Sequence, residues 1–140
     1  MRFTIGLLVL AIGVAPQLGA QAPAPAVAVD HYTAMQKALR DLVVLEERYY
    51  ADHGTYTTDQ AALGAPTPKT HAEAVKQGYG LAIVQAGGRG WWAQAQLSDG
   101  KPTGCVTYVG ELKYFGVAPT TPAGTPAATD GEGTVKCDGI

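Results

Sequence analysis

The chain has 140 residues, a formal net charge of −2 and a charged fraction of 16%, against about 25% in ordinary soluble domains. That length holds one domain, since domains run to about 100–150 residues, and a disordered polyelectrolyte is excluded. Ten Lys and Arg against twelve Asp and Glu also exclude a nucleic-acid binder that relies on a basic face.

Met1-Arg2-Phe3-Thr4 is a short positive start, and Ile5 to Val14 is an uninterrupted apolar run. Small residues follow from Ala15 to Ala22, with cleavage after Ala20 preferred because cleavage after Ala22 would leave Pro23 first. This is the three-part plan of a secretory signal peptide, expected over residues 1–20. A membrane anchor needs about 20 apolar residues, roughly twice what is present. The mature chain is therefore expected outside the cytoplasm, in the periplasm, at the cell surface or extracellular, without a membrane span.

Export decides the reading of the two cysteines. Outside the cytoplasm two thiols in a small domain are usually bridged, and Cys105 with Cys137 is the one available pairing. The bridge would close a loop of about 33 residues and contribute roughly 3.7 kcal/mol. A metal site needs several ligands at short spacing, whereas His31, His53 and His71 are scattered. Neither metal nor cofactor is expected.

Residues 21–29 (QAPAPAVAV) contain two Pro and no charge, and read as an extended linker ahead of a domain over 30–140. Asp30 is a good N-cap, and His31 to His53 contains neither Gly nor Pro. Met35, Leu39, Leu42, Leu45 and Tyr49 recur at spacings of three and four, which predicts one apolar helical face. Gly54 ends the helix as a C′ residue. Asp59 to Leu63 is expected to form a short turn, and Pro66 and Pro68 mark a loop.

Strands are predicted over Tyr79–Gln85, Trp91–Leu97 and Cys105–Val109, separated by Gly87-Gly88-Arg89-Gly90 and Ser98-Asp99-Gly100-Lys101-Pro102. In the second run Trp91, Ala93, Ala95 and Leu97 alternate with Trp92, Gln94 and Gln96, as in an antiparallel sheet with one side wet. Residues 116–133 are rich in Pro, Gly, Thr and Ala, with little to bury, and the cysteine bridge would tie this tail to the third strand. The expected fold is α+β: a long N-terminal helix packed on a three- or four-stranded antiparallel sheet, with a C-terminal loop tied by one disulfide.

This arrangement resembles the type IV pilin and pseudopilin fold. The most specific stretch runs from Leu39-Arg40-Asp41-Leu42 through Glu46-Glu47-Arg48-Tyr49-Tyr50-Ala51-Asp52-His53-Gly54-Thr55-Tyr56-Thr57. It is similar to the pilin pattern of Glu-x-x-Tyr-Tyr at the helix end, then Gly, then Tyr-Thr. Glu46, Tyr49, Tyr50, Gly54 and Tyr56 are the structural positions the resemblance implies. Trp92-Ala93-Gln94-Ala95 and Cys105-Val106-Thr107-Tyr108-Val109-Gly110 are similar to the pilin strands that follow, and Cys137-Asp138-Gly139 to the close of the disulfide-bounded region.

The front of the chain departs from the family. Pilin precursors carry Gly, then Phe-Thr-Leu-Ile-Glu, then a long apolar helix. Here Arg2 precedes Phe3-Thr4-Ile5, no acid follows, and Pro16, Pro23 and Pro25 would interrupt a continuous helix. The resemblance thus implies a pilin head domain exported as a soluble protein.

Catalytic residues are not expected. Ser98, the only serine, sits in a turn signal, and Glu46-Glu47 reads as a solvated pair because adjacent helical residues diverge by about 100°. Gly87-Gly88-Arg89-Gly90 lacks the Lys-Ser/Thr of a phosphate loop. Trp92 faces away from the core with Arg89 nearby, the composition of an interface hot spot. Cover by a loop from 60–78 or by the tail is the equally weighted alternative. Loop 116–133 is read as a recognition loop or a spacer. The expected function is non-enzymatic contact with protein partners: filament components, secretion-system components or the chain itself. The alternative is a periplasmic or secreted small-ligand-binding domain on the Trp92/Arg89 face.

Overall fold

The computed structural model describes residues 25–65, 74, 76–127 and 131–139. The expected signal peptide, its cleavage site, the first part of the linker and the Pro66–Pro68 loop lie outside the described residues. The architecture is α+β. Helix α1 (Pro25–His53) packs on a four-stranded antiparallel sheet with strand order β1-β2-β3-β4. The strands are β1 (Tyr79–Gly87), β2 (Gly90–Leu97), β3 (Gly104–Gly110) and a two-residue β4 (Lys136–Cys137).

α1 begins five residues ahead of the expected Asp30 cap, so residues 25–29 are helix and not linker. Proline is compatible with a first helical turn, where an N–H would have no intrahelical acceptor. Pro25 therefore opens the helix it was expected to interrupt. At the other end Gly54 takes φ 70° and donates its N–H to Tyr50 O at 2.7 Å, as the C′ expectation required.

The helix stripe lies on one face of the sheet. Met35, Leu39 and Leu42 are fully buried against Trp91, Ala93, Ala95 and Cys105, with Ile83 and Tyr79 from β1. The small alanines of β2 let the helix come close. Thr107 shares this face opposite Ala93, and its hydroxyl donates to Thr134 O at 3.0 Å.

The opposite face is not wet. The segment after β3 turns through a 3-10 turn (Leu112–Tyr114) and crosses back over the sheet, burying Trp92, Val106 and Tyr108 beneath Ala127 and Phe115. Residues 119–127 fold into a small loop: Thr120 pairs with Pro126, and Ala127 N–H donates to Pro119 O at 3.0 Å. Gln94 holds it down, its Nε2 donating to Thr120 O at 2.6 Å. Three layers result, with the sheet in the middle.

Candidate interaction surface

The two cysteines are bridged across directly paired positions of β3 and β4. Asp138 adds a second tie. Its Oδ2 accepts the N–H groups of Gly104 (3.1 Å) and Ala123 (3.2 Å), and its Oδ1 accepts the hydroxyls of Thr121 and Thr125. One buried carboxylate therefore gathers the start of β3, the 119–127 loop and the end of β4. Sequence reasoning placed no role on Asp138; its position between Cys137 and Gly139 was the available signal.

The five motif positions lie along the end of α1 and the turn that leaves it. Tyr56 stacks on Tyr50 at 4.6 Å and donates its phenol to Glu47 Oε1 at 3.0 Å. Burial, then the Glu47 hydrogen bond and charge, push the Tyr56 phenol well above its usual range. Tyr49 stacks on His53 at 3.9 Å, and Gly54 makes the turn between the aromatic pairs. Glu46 corrects the expectation of a solvated pair: it is fully buried, while Glu47 is exposed. Met35, Leu39, Leu42 and Glu46 are spaced four, three and four, so Glu46 continues the buried stripe. That spacing was the overlooked signal.

Trp92 is only 3% exposed, so of the two equally weighted readings cover by the tail holds and an exposed Trp92/Arg89 face does not. The tail covers it. Arg89 instead sits in the two-residue turn between the paired Gly87 and Gly90, with its guanidinium 4.5 Å from the centre of the Tyr114 ring. Lys113 approaches the same ring at 4.9 Å and pairs with Glu111. The Glu111 hydrogen bond and charge raise the Lys113 pKa.

The backbone under this cluster is fixed from β1. A register shift between Ile83 and Gln85 makes Val84 the extra residue of a β-bulge and sets Gln85 opposite Trp92. The Gln85 side chain then donates to Tyr114 O at 3.4 Å and accepts Gly116 N–H at 3.2 Å. Leu112, Tyr114 and Val117 on this segment are exposed, Val117 at 66%, as is Val84 on the bulge. No protein-family model and no curated protein matches the chain.

The residues with interface composition are thus the Arg89–Tyr114 pair and, on the same segment as Tyr114, the exposed Leu112 and Val117, with Gln85 and the Tyr108–Phe115 edge contact holding that segment. Arg89 was legible from sequence, but its aromatic partner was not. Only the chain path from β3 brings Tyr114 under a side chain from the β1–β2 turn. Among the described residues no His, Cys, Asp and Glu cluster fit for a metal occurs, and no helix is long and apolar enough to cross a membrane.

Proposed function

We propose that this chain is an exported, pilin-like protein that acts through protein–protein contact, as a surface, periplasmic or filament-associated component, without catalysing a reaction. The observation that carries the reading is the Arg89–Tyr114 stack, on a segment that also exposes Leu112 and Val117. Tyr and Arg beside apolar groups are the residues that dominate binding energy at interfaces. The pilin-like part rests on the resemblance, and the Tyr50–Tyr56 stack across the Gly54 turn is in keeping with it. The Cys105–Cys137 disulfide is compatible with export.

Two measurements test this reading. Intact mass of the exported protein should lack about the first 20 residues. A full-length product confined to the cytoplasm would refute export. Photo-crosslinking from Val117 in producing cells should give a discrete protein adduct that Arg89→Glu abolishes. An adduct indifferent to that change, or none at all, would remove this surface from the proposal. Electron microscopy of the secreted fraction then shows whether the partner is a filament.

A further inference from the structure

Two adjacent carboxylates at the end of α1 hold the loop that follows it. Glu47, in solvent, accepts the Tyr56 phenol. Glu46 is fully buried; its Oε2 accepts Thr57 N–H at 3.1 Å, and its Oε1 has no partner among the described residues. No ion pair to Glu46 forms among those residues. We propose that Glu46 is a proton-operated latch: while it is protonated the 55–58 loop stays docked on the end of α1, and its ionisation undocks the loop.

The physical reason is the poverty of its surroundings. A buried carboxylate needs several donors to replace water, and one backbone N–H is too few. Burial accordingly raises the Glu46 pKa from 4.5 to about 7; the Thr57 hydrogen bond opposes the rise and the Glu47 charge adds to it. The titratable groups around the exit offer no rescue. On α1 these are Glu47, Arg48, Tyr49, Tyr50, Asp52 and His53, and among the described residues no hydrogen bond or ion pair joins any of them to the Glu46 carboxyl. From the loop comes the Tyr56 phenol, and from the 131–133 turn Glu132, which acts on Tyr56. The sheet presents Trp91, its ring 6.5 Å from that of Tyr56.

An ionised Glu46 is therefore better placed in solvent, and turning outward takes the acceptor away from Thr57 N–H. Gly54, at φ 70° with nothing within 4 Å of where a Cβ would sit, is the hinge at which the loop leaves. The linkage runs opposite to the usual carboxylate case. The folded pKa lies above the unfolded one, so the stabilisation is complete below about pH 4.5 and is lost as pH rises through about 7. This inference does not depend on the proposed function.

The test is a pH titration of the isotopically labelled protein by NMR, from pH 5 to 9, following the Glu46 carboxyl carbon and the Thr57 amide exchange rate, corrected for intrinsic base catalysis. The latch requires a Glu46 midpoint near 7 and a loss of Thr57 protection of about tenfold or more over the same range. Glu46→Gln, permanently neutral, should keep Thr57 protected throughout. A Glu46 midpoint near 4.5, Thr57 protection indifferent to the titration, or the same opening in Glu46→Gln would each overturn the proposal. If Glu46→Gln does not fold, the two wild-type readouts decide the matter by themselves.

Discussion

Asp138 and Gly104 hydrogen-bond each other twice: Asp138 N–H donates to Gly104 O at 2.9 Å, and Gly104 N–H donates to Asp138 Oδ2 at 3.1 Å. The pair sits one residue along each strand from the Cys105–Cys137 bridge, so the tail is fastened covalently and by a carboxylate at the same place. The two devices differ in reach. The disulfide joins two strands, whereas the carboxylate also collects Thr121, Ala123 and Thr125 from the loop over Trp92.

Asp138→Ala should therefore loosen the tail face even with the disulfide intact. Hydrogen bonds to a charged acceptor are worth about 1.5–3 kcal/mol each, and buried donors would be left without partners. A loss of about 3 kcal/mol in urea unfolding is expected, with Asp138→Asn milder because it keeps one acceptor oxygen. A loss below about 0.5 kcal/mol would contradict the assigned role.

Removing the bridge should act mainly through the unfolded chain. The Cys105→Ala, Cys137→Ala double variant is expected to lose roughly 3.7 kcal/mol by loop entropy. In the native protein a thiol label should react with neither cysteine until reductant is added. Labelling without reductant would show the bridge to be absent.

Gly104 tests the close approach of β3 to β2. A Cβ there would lie 2.0 Å from Ala95 O, a backbone atom that cannot swing aside. Gly104→Ala is expected to cost about 2–3 kcal/mol as the strands are forced apart. It should also weaken the Asp138 pairing, so its effect and that of Asp138→Ala should add to less than their sum in a double-mutant cycle.

Trp92 distinguishes a covered sheet from an open one. Deleting a buried Trp side chain costs about 3–5 kcal/mol, so Trp92→Ala should be severely destabilising, while an exposed Trp would be lost at little cost. Fluorescence of a Trp91→Phe variant, which isolates Trp92, should be blue-shifted and poorly quenched by iodide. Ready quenching would mean that the tail does not lie on this face.

Spacing along the chain determined the elements. Met35, Leu39 and Leu42 announce a helical stripe, Trp91, Ala93 and Ala95 announce a strand, and Gly54 announces the exit, because each signal is carried by residues within one or two turns or pleats. Two cysteines allow one bridge, so that long-range tie was legible as well. What lies over what was decided only in three dimensions. Glu46 is charged by residue type yet buried by its place on the stripe. Exposure and cover of Trp92 stayed open because alternation assigns a residue to a face and says nothing of what covers that face. The cover is a Thr/Pro/Gly loop with little to bury of its own, held by Asp138 contacts 13 to 17 residues distant in sequence. Local periodicity carries no record of such contacts. They exist only once the sheet, the bridge and the carboxylate have fixed the path of the tail.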